Sequence, residues 1–272
     1  MRLHLVDGTF ELFRAHYSKR PERPFKATAG LLDSLLTLLA DKTEQVTHVA
    51  VAFDNPIRSF RNDLFAAYKS DEGIDPVLRS QFDLAEDATR AAGVTVWSMK
   101  EFEADDALAT AADRFRDQVE QVRILTPDKD LGQCLRGEQV VQVDVIRKRV
   151  LDEAALLQRR CIKPESLPDY LALTGDDADG IPGLPGFGER TASALLAMFV
   201  HLEEVPLDPR RWPEGVRGAD RLAATLRERL PDALLYRTLA TLRRDVPLPE
   251  SLADLRHAGI DQARVDTFLK QL

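Results

Sequence analysis

The chain has 272 residues, with 37 Lys+Arg against 45 Asp+Glu for a formal charge of −8, and is 44% hydrophobic and 30% charged. That balance describes a globular protein and excludes long-range disorder. No run approaches the roughly 18 apolar residues that cross a bilayer, and Met1 to Asp7 turns acidic too soon for a signal peptide, so a cytoplasmic protein without a membrane partner is expected.

In chain order, strand character falls on residues 3–6, 48–53, 93–97, 122–125 and 140–145. Helical patterns lie between them at 29–39, 78–92 and 104–115. Alternating strands and helices predict an α/β fold with a parallel sheet covered on both faces. From about Pro164 onward the pattern is helical, at 191–200, 217–230 and 232–243, with breaks at Pro206, Pro209, Pro213, Pro247 and Pro249. The reading divides the chain into a core, 1–165, and a helical region, 166–272. Cys134 and Cys161 form no CxxC pair and the 5 histidines are scattered, so neither a disulfide framework nor a zinc site is legible.

The acidic residues carry the chemistry. Three strands run into aspartates: the first into Asp7, the second into Asp54, the fourth into Asp128 and Asp130. The third leads to Glu103-Ala104-Asp105-Asp106 at a helix start, and a fifth group, Asp176 to Asp179, sits in a polar turn. Carboxyl ends of parallel strands line the crevice where ligands bind. Each group alone has an ordinary explanation as a turn, a cap or a dipole partner. All five in one chain, with few nitrogen or sulfur ligands nearby, point to hard cations such as Mg²⁺ or Mn²⁺. Two such ions about 4 Å apart activate water and stabilise a leaving oxygen at a phosphodiester.

The run Pro185-Gly186-Phe187-Gly188-Glu189-Arg190-Thr191 opens a helix and predicts a turn that presents backbone N–H groups to a phosphate. It is similar to a helix-hairpin-helix turn, which holds a DNA backbone without reading bases.

These motifs, together with Leu5-Val6-Asp7-Gly8, Ser59-Phe60-Arg61 and Tyr68-Lys69-Ser70, closely resemble those of the five-prime nuclease family over nearly the whole chain. The family includes the five-prime nuclease domain of bacterial DNA polymerase I and the flap endonucleases. The resemblance implies a PIN-like parallel-sheet core with a helical gateway or arch, then a helix-three-turn-helix module that binds duplex DNA. It implies a structure-specific five-prime to three-prime exonuclease or flap endonuclease in replication or repair. Its metal carboxylates would be Asp7, Asp54, Glu103, Asp105, Asp106, Asp128, Asp130, Asp176 and Asp179, with Asp7 and Asp128 counted as catalytic.

Setting those acids aside leaves a formal charge of +1, so the acidic total does not exclude a nucleic-acid partner. By the same match Lys69 would contact the scissile phosphate, Arg14 would assist, and Tyr68 would stack on a displaced base. DNA contacts would also come from Arg61, Gly186, Gly188, Arg190 and Thr191. A potassium ion would be held by the backbone carbonyls of Leu173, Thr174, Pro182, Leu184 and Phe187. The partners implied are DNA five-prime ends, flaps and nicks, with RNA-primed ends a further substrate and a monomer the expected state.

One departure is that Ser70-Asp71-Glu72-Gly73 places acids where polymerase-linked relatives carry a basic arch residue. No polymerase-like sequence follows, so a free-standing nuclease is expected. The rival readings are a non-catalytic protein that binds branched DNA and a PIN-type ribonuclease.

Overall fold

Every residue of the second strand is buried, which places it inside a sheet covered on both faces. The computed structural model describes residues 1–260 and 262–270. β1 (Arg2–Asp7), β2 (His48–Asp54), β3 (Thr95–Met99), β4 (Gln121–Leu125), β5 (Val140–Asp144) and β6 (Arg149–Leu151) form a 6-stranded sheet in the order β3-β2-β1-β4-β5-β6. β1 to β5 are parallel, and β6 turns back antiparallel on β5. The chain runs outward from β1 to β3 and then restarts on the other side of β1 at β4. The order therefore reverses between β1 and β4, and a crevice opens at their carboxyl ends.

α1 (Gly8–His16), α2 (Lys26–Ala40), α3 (Arg61–Leu64), α4 (Pro76–Arg79), α5 (Phe82–Ala91) and α6 (Ala104–Phe115) belong to the half that holds the sheet. Alternation along the strands sends Leu3, Leu5, Ala50, Ala52, Val122 and Ile124 to one face, where α6 packs through Ala107, Leu108, Ala111 and Phe115. Val6, Val49, Val51 and Phe53 meet α1, α2 and α5 on the other. The alanines of α6 let its backbone approach the sheet closely. Its start is fixed by a capping box between Glu103 and Asp106. Between β2 and α5 the gateway segment forms only the single turns α3 and α4.

α7 (Glu153–Arg160), α8 (Leu167–Thr174), α9 (Glu189–Phe199), α10 (Ala219–Glu228), α11 (Leu230–Ala240) and α12 (Gln262–Leu269) follow. Leu171, Leu184, Leu195, Leu222, Ala233 and Tyr236 belong to a second core inside the helical half, which also takes in Tyr68. The chain then leaves that core. Leu242, Val246, Leu248 and Leu255 return to the sheet face beneath α6, and Val265 of α12 joins the opposite face. The strap is pinned by Arg114 donating to Leu248 O at 2.8 Å, Trp97 Nε1 donating to Glu250 at 2.8 Å and His257 N donating to Thr47 O at 2.9 Å. Only part of the region 166–272 thus packs as a helical unit, and Asp261, Gln271 and Leu272 lie outside the described residues.

Candidate active site

Asp7 ends β1 and caps α1: its Oδ1 accepts the Phe10 N–H at 2.8 Å, and Thr126 Oγ1 donates to its Oδ2 at 3.0 Å. Asp54 ends β2, takes the Ala104 N–H at 2.8 Å, and thereby ties the β2 terminus to the start of α6. Glu103 caps α6 and receives Ser59 Oγ at 2.6 Å. Asp105 lies in the first turn of α6, and Asp128 caps the short 3₁₀ turn Lys129–Cys134 just beyond β4. These carboxylates surround the crevice predicted from the strand order.

Asp130, on the same 3₁₀ turn, meets two acids from the helical half. Asp130, Asp176 and Asp179 bring ligand oxygens within 4.8 Å of one another. The turn that carries Asp176 and Asp179 docks on the gateway, where the Lys69 N–H donates to Asp179 O at 3.1 Å. Gly180 makes this approach possible. It sits at φ +71°, and a Cβ there would lie 2.3 Å from Ala67 O, so no side chain fits.

So many buried acids hold their protons more tightly than free carboxylates do. Burial pushes the Asp7 carboxyl up to about 7, with Asp54 and Asp128 adding repulsion against the Phe10 and Thr126 hydrogen bonds. Burial likewise raises Asp105, next to Asp128 and Asp7, and Asp130, next to Asp128, Asp179 and Asp176. Glu103 goes the other way: burial pushes it up, but the Lys69 ammonium and Arg61 guanidinium outweigh that. Lys69 Nζ stands 2.8 Å from Glu103 Oε2 and 3.2 Å from Asp179 Oδ1, bridging the two halves.

A cation fits this constellation. Asp130 is 5% exposed, and its Oδ1 is buried with no hydrogen-bond partner among the described residues. An orphaned carboxylate oxygen among hard oxygen donors is what a divalent ion would complete.

A folded-state carboxyl raised from 3.8 to about 7 holds a proton that the unfolded chain has already lost. Its contribution to stability is therefore lost as pH rises through about 7. Below 6.5 the slope is opposed by His4, which burial pulls down to about 4. From pH 6.5 to about 7 the metal-free protein is expected to lose stability, with the raised Asp105 and Asp130 carboxyls acting in the same direction, read as a falling urea midpoint in chelator. Mn²⁺ is expected to abolish that fall, since ligand binding to the folded state alone stabilises it. A midpoint that rises over this window would contradict the picture.

The structure corrects several residue assignments. Asp106 is 0% exposed and does not face the crevice: Arg61 Nη1 and Nη2 donate to its two oxygens at 2.7 and 2.8 Å, and the Glu103 and Arg243 N–H groups complete its shell. It is an ion-pair partner, not a metal ligand. Arg61 is 1% exposed and also donates to Leu239 O and Thr241 O, so it presents no surface to DNA. Tyr68 is 4% exposed, with its hydroxyl 3.3 Å from Glu103 Oε2, and has no free face on which a base could stack. Arg14 pairs with Glu11 and donates to Ser34 Oγ at 3.1 Å on α2. In the gateway, Asp71 stands 3.9 Å from Arg79.

Gly186, Gly188 and Arg190 are exposed and Thr191 is half-buried. Gly188 caps α9 without a side chain, so the first N–H groups of the helix have no side-chain cap. Thr174, Pro182 and their neighbours do converge, since a Cβ at Gly183 would lie 2.6 Å from Thr174 C. The carbonyls of Leu173 and Leu184 already accept the N–H groups of Leu184 and Phe187. Sequence reasoning missed the supporting hydroxyls of Thr126 and Ser59 and the ammonium of Lys129. Thr126 and Lys129 were signalled only by nearness to Asp128, and Ser59 only by its place in the Ser59-Phe60-Arg61 run.

Residues 2–160 match the family model described as 5'-3' exonuclease, N-terminal resolvase-like domain, and residues 162–263 match 5'-3' exonuclease, C-terminal SAM fold. The chain belongs to the 5'-3' exonuclease family. It is 32% identical over 268 residues to the 5'-3' exonuclease of Bacillus subtilis, covering 93% of this chain and 87% of that one. It is 33% identical over 282 residues to DNA polymerase I of Bacillus caldotenax, covering 100% of this chain and 31% of the polymerase. The chain thus spans about a third of the length of the curated polymerases it matches.

Among solved structures it is similar to the T5 5'-exonuclease with bound divalent zinc, at a TM-score of 0.71 and 18% identity, covering 100% of this chain and 98% of that one. The catalytic core of Rad2 in complex with DNA substrate follows at 0.65 and 13%, covering 99% and 86%. The fold is therefore the resolvase-like α/β core with a helical SAM-like half that this family shares. Among the described residues no helix is long and apolar enough to cross a membrane.

Proposed function

We propose that this chain hydrolyses DNA phosphodiesters at five-prime ends, flaps and nicks in replication or repair, using two divalent cations, Mg²⁺ or Mn²⁺. The observation that carries the reading is the convergence of carboxylates from both halves on one crevice, with the Asp130 Oδ1 acceptor left unpaired among the described residues. Asp7, Asp54, Glu103, Asp105 and Asp128 would hold one cation, and Asp130, Asp176 and Asp179 the other. The chemistry such ions supply is charge neutralisation at the phosphoryl and leaving oxygens and acidification of water.

The chain's own groups do the rest. Lys69 keeps an ammonium beside Glu103 and Asp179, where it can take a phosphoryl oxygen. Thr126 and the Phe10 N–H fix the Asp7 carboxylate, and Ser59 fixes Glu103. The exposed Gly186-to-Thr191 turn grips duplex phosphates through backbone N–H groups and Arg190, so base sequence matters little. Potassium at the Leu173, Thr174, Pro182, Leu184 and Phe187 carbonyls would add charge to that grip. RNA-primed ends are a second substrate on this reading, and the protein acts as a monomer in the cytoplasm.

The test is cleavage of a labelled five-prime flap duplex with Mg²⁺ and with chelator. Cutting near the junction that requires the ion supports the reading. A protein that binds the flap yet cuts neither it, a nicked duplex nor an RNA-primed end, in Mg²⁺ or Mn²⁺, is a binding module instead.

A further inference from the structure

Asp176 has two oxygens, and both are engaged. Oδ1 accepts the Ala178 N–H at 3.1 Å, which locks the carboxylate to its own turn. Oδ2 meets Lys129 Nζ at 2.7 Å. Asp176 contributes an oxygen to the trio with Asp130 and Asp179, and a lysine ammonium already sits on its Oδ2. Lys129 reaches there from between Asp128 and Asp130, on a side chain that is 40% exposed and free to swing on its four-carbon stem. Lys69 stands on the other side of the same trio, against Asp179.

We propose that Lys129 is the resident counterion of the Asp130–Asp176–Asp179 site, exchanged for the second divalent cation when it binds. The exchange frees the ammonium at the rim of the crevice, where the phosphate backbone of the substrate takes it. Ion binding and DNA binding are then coupled through one side chain, and the coupling is reciprocal. The inference rests on the two-cation reading above.

The experiment measures Mn²⁺ binding to the free protein by electron paramagnetic resonance, for the parent, Lys129→Met and Lys129→Gln. Two ions bind the parent, and in both variants the weaker one tightens by about tenfold, as expected when an ion no longer displaces a charged hydrogen bond. The second readout is the salt dependence of flap-duplex binding with Ca²⁺ and with chelator. With Ca²⁺ the slope of the variants falls by about one phosphate contact relative to the parent, and in chelator it is unchanged, because Lys129 is then held on Asp176.

Fewer than two Mn²⁺ ions on the parent would overturn the two-cation reading itself. Two ions whose affinities are unchanged or weaker in the variants would overturn the exchange alone. A slope that falls equally with and without Ca²⁺ would make Lys129 a permanent phosphate contact and also overturn it. Both variants replace a partly exposed side chain, and urea unfolding in chelator verifies that they fold.

Discussion

Asp105→Asn is expected to lower flap cleavage by a factor on the order of 10³, the equivalent of several kcal/mol of charge stabilisation at the phosphoryl group. The substitution keeps shape and removes charge. Asp105 lies in the first turn of α6, raised well above the ordinary carboxylate range by burial and by repulsion from Asp128 and Asp7. An amide at that position cannot hold a divalent ion tightly but relieves the repulsion. The same variant is therefore expected to be more stable than the parent at pH 7 in chelator, and less stabilised than the parent by Mn²⁺. Single-turnover cleavage at saturating Mn²⁺ and urea unfolding with and without the ion measure the two effects. Cleavage within tenfold of the parent would remove Asp105 from the metal set.

Arg61→Met is expected to cost about 3–5 kcal/mol of unfolding free energy, because it strands a charge in the core. Asp106 is 0% exposed and is paired through both oxygens with a guanidinium that is itself 1% exposed. Removing Arg61 also leaves Leu239 O and Thr241 O without their donor. The double variant Arg61→Met/Asp106→Leu is expected to regain much of the loss, since an apolar pair of similar volume carries no stranded charge. Urea unfolding of the two single variants and the double closes the cycle. A single-variant loss under about 1 kcal/mol would show that water reaches Asp106. Arg61 Nη1 also stands 3.2 Å from Glu103 Oε1, so cleavage is expected to weaken along with stability.

The strand ends were the most legible part of the site, because period-two alternation stops where an aspartate begins. Asp7, Asp54, Asp128, Asp130, Asp176 and Asp179 were all found that way or by the polar turn. The choice between Asp105 and Asp106 was not legible. Adjacent helix positions point about 100° apart, so one faces the crevice and the other the core, and the deciding partner, Arg61, is remote in sequence. Arg61 and Tyr68 were misread for the same reason: a charge or a phenol beside a motif looks like a surface group until its long-range partner is known. α1 and α8 were missed because neither stands apart from its motif, and α1 begins at a glycine. The strap after Ala240 was hidden by Pro247 and Pro249, which resemble helix breaks but mark an extended path along the sheet.

That strap changes what kind of object the helical half is. Both of its ends are anchored on the sheet, through β6 on one side and residues 242–255 on the other, so it is inserted within the nuclease core and not appended to it. Trimming the chain from its carboxyl terminus would bare the apolar sheet faces, first under Val265 and then under α6, before the Gly186-to-Thr191 turn was touched. Cutting the segment between α9 and α10 at the exposed Glu214 and Gly215 would leave both fragments clasped. Hydrogen exchange is accordingly expected to be slow in the Val246 and Leu248 amides, late as they come in the chain, and to report the opening of the core.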